Sequence, residues 1–250
     1  MNSCLLSNKL EIRSIHKSFG ELKVLEDITL KLSQNEFVTI LGPSGSGKST
    51  IFNIIAGLLK PDRGEVLIEG EDYIGRTARV SYMYQKDLLL PWKKVIDNVA
   101  LPLVIKGESK KGAREKAAEH FKLFGLEGFE YRYPFQLSGG MKQRAALMRT
   151  FMFSRDIMLL DEPFGGLDAI TKAKLHFWLL EVLTELKASV LLVTHDIEEA
   201  IFLSDRIYIL SDRPACIKEE VAVKLPRPRS REIIISEEFN SLKGHIMDLL

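Results

Sequence analysis

Residues 42–50 read Gly42-Pro43-Ser44-Gly45-Ser46-Gly47-Lys48-Ser49-Thr50, the full pattern G-x-x-x-x-G-K-[S/T]. The run follows the apolar Phe37–Leu41 and leads into Ile51–Ala56, so it has the strand–loop–helix setting that turns a glycine-rich stretch into a phosphate cradle. Glycines Gly42, Gly45 and Gly47 let the backbone curl with its N–H groups aimed at an anion. The helix that follows adds the positive end of its dipole. Lys48 then reaches the β- and γ-phosphates, and Ser49 is placed to ligate Mg²⁺. A chain with this stretch is expected to bind a nucleoside triphosphate.

The bulk properties narrow the class further. At 250 residues, 46% hydrophobic and 28% charged, the sequence has the balance of an ordinary globular protein. Its net charge of +1 gives no reason to expect a nucleic-acid partner. No apolar run approaches the roughly 18 residues of a membrane-spanning helix. Met1–His16 carries Lys9, Glu11 and Arg13 and has no signal-peptide core. Cys4 and Cys216 match no metal or redox spacing, which suits a reducing cytosol.

Along the chain, Leu10, Ile12 and Ile15 and then Leu25, Ile28, Leu30 and Leu32 recur in strand fashion. Lys60-Pro61-Asp62-Arg63-Gly64 is a turn, and strands are expected at Glu65–Ile68 and Val80–Tyr84. From Leu88 to Met152 the pattern is mainly helical, with helices expected over Ala113–Phe124 and Met141–Phe153. Strands return at Ile157–Leu160, Val190–Val193 and Ile207–Leu210, separated by a helix over Ala169–Leu186. Phe239, Leu242, Ile246, Leu249 and Leu250 fall at helical spacing behind Ser236, a suitable N-cap. Strand–helix alternation around a phosphate loop predicts an α/β fold with a mostly parallel sheet and helices on both faces.

Ile157-Met158-Leu159-Leu160-Asp161-Glu162 is an apolar strand ending in two carboxylates. At such a strand end Asp161 is placed to hold Mg²⁺ through water, and Glu162 to orient or deprotonate a water attacking the γ-phosphate. Ser138-Gly139-Gly140 stands at the start of a helix. Read from these residues alone, it is either a simple N-cap or a second anion site.

Leu137-Ser138-Gly139-Gly140 followed by Gln143 resembles the signature motif of ATP-binding cassette (ABC) ATPases, and the resemblance runs from about Leu10 to Leu210. Gln85 falls where the Q-loop glutamine does, Gly166-Leu167-Asp168 resembles the D-loop, and Val193-Thr194-His195-Asp196 the switch-histidine motif. Phe19 stands at the adenine-stacking aromatic. Gly166 replaces the Ala of many relatives.

The resemblance implies an ABC ATPase fold, with an antiparallel β subdomain and a helical insertion added to the core. One cassette domain is expected over 8–250: nucleotide-binding core 8–87 and 154–225, helical insertion 88–153, and tail 226–250. It implies ATP and Mg²⁺ as cofactors, with Glu162, His195 and Gln85 catalytic and Ser49, Gln85 and Asp161 at the metal. Phe19, Gly42–Thr50, Ser138, Gly139, Gly140 and Asp168 would bind nucleotide.

A signature motif in this family completes the site of a second cassette, so the resemblance implies a dimer, most simply of identical chains. It further implies an importer ATPase on the cytoplasmic face of a membrane, driving separate permease subunits fed by an extracytoplasmic solute-binding protein. Gln85–Trp92 continuing into Val95–Val99 would dock on the permease through Leu89, Leu90, Pro91 and Trp92, unless these residues pack the insertion's own core. Leu90-Pro91-Trp92, Asp97-Asn98-Val99, His195–Ala200 and Leu225-Pro226-Arg227-Pro228-Arg229 are similar to the nitrate/sulfonate/taurine branch, whose cargoes are small anions. Some relatives serve pyrimidine vitamin precursors. A soluble cassette acting on ribosomes or DNA is the competing class, and the single cassette without a basic stripe disfavours it. An exporter would commonly carry fused membrane spans. Arg227, Arg229 and Arg231 read as a solvated Pro-rich connector or as contacts to lipid headgroups.

Overall fold

A computed structural model describes residues 8–154 and 156–250; segment 1–7, which holds Cys4, and Arg155 lie outside the described residues. Two sheets organise it. The first is six-stranded and contains β3 (Phe37–Leu41), β6 (Val80–Met83), β7 (Ile157–Asp161), β8 (Ser189–Thr194), β9 (Arg206–Leu210) and β10 (Ile217–Ala222). Its order is β10-β9-β3-β8-β7-β6, parallel throughout except for β10 on β9.

Strands β3, β7 and β8 are buried along their whole length, which is why they read as continuous apolar runs rather than alternating ones. Their side chains still divide by the period of two. Val38, Ile40, Ile157, Leu159, Leu191 and Val193 face one core, and Leu41, Met158, Leu160, Val190 and Leu192 face the other.

The first core is closed by the second sheet, antiparallel, in the order β2-β1-β4-β5. Its strands are β1 (Asn8–Phe19), β2 (Leu22–Ser33), β4 (Arg63–Ile68) and β5 (Glu71–Asp72). Between the sheets lies α1 (Lys48–Ile55), with Ile51, Phe52, Ile54 and Ile55 buried. That sandwich pins the start of α1 at the end of β3, where the phosphate loop must sit.

The second core takes α2 (Val95–Ile105), α3 (Lys110–Ala118), α4 (Gly139–Phe153), α5 (Ala169–Leu186), α6 (Ile197–Leu203) and α7 (Glu237–Leu249). The helix expected over 113–124 ends at Ala118. Beyond it the amides of His120 and Phe121 reach back only three residues, and the chain turns so that Phe121, Phe124 and Leu126 all enter the core. Helix α7 forms behind Ser236, whose Oγ accepts from the Phe239 amide at 3.2 Å. Phe239 and Ile246 are buried as the spacing requires, while Leu250 is exposed.

Phe239→Ala should lower stability by about 3–5 kcal/mol in a urea titration, the usual cost of a Phe-sized hole. A loss under ~1 kcal/mol would mean that α7 is not part of the cooperative core.

The solvated connector expected at residues 226–231 is partly corrected. Arg229 is buried and donates to Ile201 O at 2.7 Å and Ser204 O at 2.8 Å, at the end of α6. Unpaired carbonyls at a helix C-terminus attract a cation, and the guanidinium supplies several donors at once. Burial pushes the Arg229 pKa down to about 10. Arg227 pairs with Asp205 at 2.7 Å. Arg227 and Arg231 remain exposed, so Arg229 alone of the three leaves solvent.

Candidate functional site

The phosphate loop leaves the C-terminal end of β3 and becomes α1, with Gly47 as N-cap at φ 108°. A Cβ there would lie 2.8 Å from Leu25 Cδ2, so both the backbone angle and the β2 wall demand glycine. No side chain caps α1, which leaves its first N–H groups available to an anion. Ser46 Oγ is buried without a hydrogen-bond partner among the described residues. A nest of free amides with an orphan buried hydroxyl fits a phosphate ligand.

Lys48 is folded into the loop, its Nζ donating to Gly42 O at 2.9 Å and Pro43 O at 2.8 Å. Burial pushes its pKa down, against the pull of Glu162 and Asp161. Ser44 and Gly45 are exposed at the tip, and Thr50 is half-buried on the first turn of α1.

Ser49 Oγ donates to Asp161 Oδ2 at 3.0 Å. The same oxygen accepts from Tyr82 OH at 3.2 Å, and burial pushes the Asp161 carboxyl up. Hydroxyl and carboxylate are the hard oxygen donors that Mg²⁺ takes, so this pair fits the ion.

Glu162 follows in the left-handed region, φ 44°, its amide held by Val193 O at 2.9 Å. Non-glycine residues occupy that region at a cost and concentrate at functional sites. The turn aims the carboxylate between two loops: Oε2 accepts from Gln85 Nε2 at 3.0 Å, and Oε1 lies 3.0 Å from His195 Nδ1. Glu162 therefore touches both of the other residues expected to be catalytic.

Other expected site residues lie apart from this group. Ser138 caps α4, its Oγ accepting from the Met141 amide at 3.3 Å. Gly139 and Gly140 press on α5 and the turn before it: a Cβ would lie 3.1 Å from Leu167 Cδ2 at Gly139 and 3.2 Å from Thr171 Cγ2 at Gly140. Asp168 caps α5 by accepting from the Thr171 amide at 3.0 Å, and that bond holds its carboxyl below the usual range. No hydrogen bond joins Ser138, Gly139, Gly140 or Asp168 to the phosphate loop among the described residues. Phe19, at the tip of the β1–β2 hairpin, is 49% exposed with Lys17 Nζ 5.5 Å from its ring centre, so it is free to stack rather than part of a core.

Several contributors were not singled out from sequence. Tyr82 holds Asp161 and stacks on Tyr84 at 4.1 Å. Arg149, on α4, donates to Asp87 O at 2.6 Å and Leu88 O at 2.7 Å, fixing the segment that follows Gln85. Behind His195, Lys172 pairs with Asp196 at 2.6 Å, and Thr194 Oγ1 donates to buried Glu199. None of these carries a local motif; each is recognisable only once distant strands and helices meet. The expected docking stretch needs one correction. Leu89 is buried in the second core and Leu90 half-buried, while Leu88, Pro91 and Trp92 are exposed.

Residues 25–165 match the sequence pattern of the ABC transporter family. An uncharacterized ABC transporter ATP-binding protein of Methanocaldococcus jannaschii is 43% identical over 97% of this chain and 91% of its own length. The formylaminopyrimidine import ATP-binding protein of Halalkalibacterium halodurans is 45% identical over 91% and 90%. An aliphatic sulfonates import ATP-binding protein of Bacillus cereus is 41% identical over 92% and 90%. Among solved structures, a dimeric bacterial ABC transporter cassette superposes with a TM-score of 0.75 at 32% identity, covering 87% of this chain and 100% of that one.

Proposed function

The chain belongs to the ABC transporter family as an ATP-hydrolysing subunit of the import type, and from that premise we propose that two copies of it clamp ATP between them and drive a separate membrane permease. The observation that carries this reading is the grip on Glu162 by both Gln85 and His195, one residue beyond the Asp161–Ser49 pair.

Lys48 and the uncapped amides of α1 hold the β- and γ-phosphates. Ser49 and Asp161, with Gln85, would hold Mg²⁺, which would supply positive charge to the phosphate oxygens. Glu162 receives a proton from the attacking water at its carboxylate, and His195 and Gln85 keep that carboxylate aimed. Phe19 stacks on the base. Ser138, Gly139, Gly140 and Asp168 are turned to their own helices, so their phosphate contacts require the site of a second cassette across a two-fold axis. The ATP-bound pair closes and hydrolysis reopens it, a bistable interface biased by the γ-phosphate.

No described helix is long and apolar enough to cross a membrane. By analogy with the import ATP-binding relatives, the proposed permease is a separate chain and this one acts on its cytoplasmic face. A groove of about 460 Å³ lined by Leu58, Tyr82, Tyr84, Leu88, Pro102 and Ile105 suits a permease helix. Leu88 is 53% and Ile105 72% exposed beside it, and Trp92, 71% exposed, stands further along the same segment. Replacing both Leu88 and Ile105 by Asp should cut co-purification with the permease at least ~10-fold and leave ATP affinity unchanged, as expected for two buried apolar anchors. Unchanged co-purification would move the docking surface elsewhere.

The cargo proposed is a small anion of the nitrate, sulfonate or taurine kind, delivered by an extracytoplasmic solute-binding protein. A pyrimidine vitamin precursor is the second reading, favoured by the 45% relative. Pull-down of tagged Glu162→Gln from native membranes with ATP, followed by mass spectrometry, tests the reading. A polytopic membrane protein supports it; ribosomal or DNA-bound partners alone refute it.

A further inference from the structure

Arg213 is a cation beside the phosphate loop for which no motif accounts. It sits in the turn 211–216 between β9 and β10, and that turn is fixed at both ends. The Ser211 amide donates to Cys216 O at 3.0 Å, and the Cys216 amide to Ser211 Oγ at 3.0 Å. Ala215 then exchanges backbone bonds with β2: its amide donates to Val24 O at 2.9 Å, and its carbonyl accepts from the Glu26 amide at 2.8 Å. Val24 and Leu25 are the residues that wall Gly47. The turn is thus tied to the same strand that shapes the phosphate loop.

From this turn the Arg213 side chain reaches over the loop tip. A Cβ added to Gly45 would lie 2.9 Å from Arg213 Nη2, so the guanidinium rests against the Gly45 backbone. Gly45 itself has φ 81° and is exposed, and Arg213 is exposed as well. Among the described residues Arg213 makes no ion pair, whereas Lys9, Lys17, Arg79, Arg114, Arg206 and Arg227 each sit on a carboxylate. A planar group with five donors, always charged and facing no acceptor, is held against the backbone of an anion-binding loop.

We propose that Arg213 is a further nucleotide-binding residue, ligating the α- and β-phosphates from outside the loop. The proposal rests on the ATPase reading above. Amides of the glycine-rich stretch around Gly45 cradle the α- and β-phosphates, while Lys48 serves the β- and γ-phosphates. A guanidinium at Gly45 therefore meets the part of the phosphate chain that ATP and ADP share. Arg213 strengthens the binding of both nucleotides alike and takes no part in cleavage. It sets how long nucleotide stays, leaving the rate of hydrolysis to Glu162.

Equilibrium titration of full-length wild type, Arg213→Gln and Arg213→Lys with fluorescent ATP and fluorescent ADP, beside steady-state ATPase rates, tests this. In Arg213→Gln the Kd for both nucleotides should rise by the same factor, about tenfold, the order expected for loss of a charge-assisted contact to phosphate. KM should rise with it, kcat should stay, and Arg213→Lys should recover part of the affinity. Wild-type affinity for both nucleotides in Arg213→Gln overturns the inference, and so does weakening confined to ATP or a fall in kcat alone. A lower melting temperature of the nucleotide-free variant with unaltered affinity assigns Arg213 a purely structural role and also overturns it. A wild-type chain that binds neither nucleotide overturns the ATPase reading itself.

Discussion

Glu162→Gln will bind ATP and fail to turn it over. The substitution keeps the size of the side chain and leaves an amide that can still meet Gln85 and His195, each now 3.0 Å from a carboxylate oxygen. What disappears is the carboxylate assigned to accept a proton from water. Loss of a positioned general base costs about 10²- to 10⁴-fold in rate. Single-turnover hydrolysis should fall by that factor while the ATP Kd changes less than about twofold, because the phosphate-holding groups are untouched. ATP should also hold the variant as a closed dimer, visible by size-exclusion with light scattering. A normal hydrolysis rate would remove Glu162 from the role of base. The left-handed backbone at this residue sharpens the test, since Glu162→Gly would relieve the φ 44° strain yet lose the base. It too must be inactive.

The second large effect is at Lys48. Its Nζ now donates to Gly42 O and Pro43 O, and burial pushes its pKa down. The charge is held by two carbonyl dipoles with no carboxylate among the described residues within ion-pair reach, an arrangement that exchanges readily for phosphate oxygens. Two charge-assisted bonds to phosphate, at about 1.5–3 kcal/mol each, correspond to roughly 10²- to 10⁴-fold in affinity. Lys48→Ala should therefore lose ATP and ADP binding by at least ~100-fold. The nucleotide-free fold should survive, because removing Lys48 also removes the cost of burying its ammonium group. Thermal melting separates these outcomes. The wild type gains about 2.7 kcal/mol of stability at a ligand concentration 100 times its Kd, and Lys48→Ala should gain almost nothing at the same concentration. Near-wild-type ATP affinity would refute the assignment of the loop.

Legibility in the sequence followed how locally each feature is determined. The phosphate loop and Asp161-Glu162 could be named because each chemistry needs its residue at a fixed step from a buried strand end, and β3 and β7 are apolar on both faces. His195 could be named only through the resemblance of Val193–Asp196 to the switch-histidine motif. Helices α5 and α7 were legible from their spacing and, for α7, from the Ser236 cap. Where tertiary contacts decide, local pattern misled. Residues 119–124 continue a helical periodicity, but Phe121 and Phe124 reach the core only if the helix stops at Ala118. Leu89 and Trp92 are three positions apart in a stretch that reads as uniformly apolar, yet the first is buried and the second exposed. Arg229 reads as a solvated connector residue because its three acceptors are carbonyls 25–28 positions away. Tyr82, Arg149 and Arg213 gain their places from strands and helices that no short window contains.

The contrast between the two tryptophans gives the molecule a built-in optical probe. The sequence holds only Trp92 and Trp178. Trp92 is 71% exposed at the end of the docking stretch, whereas Trp178 packs against Phe124 at 5.9 Å and lies under the Arg144 guanidinium at 4.7 Å. Acrylamide should therefore quench the emission of the free chain as two populations, one open to collision and one shielded. Burial of Trp92 against another protein would convert the first population into the second and shift its emission to the blue. Assembly could then be followed in real time, without a label, by the loss of a single quenchable fluorophore.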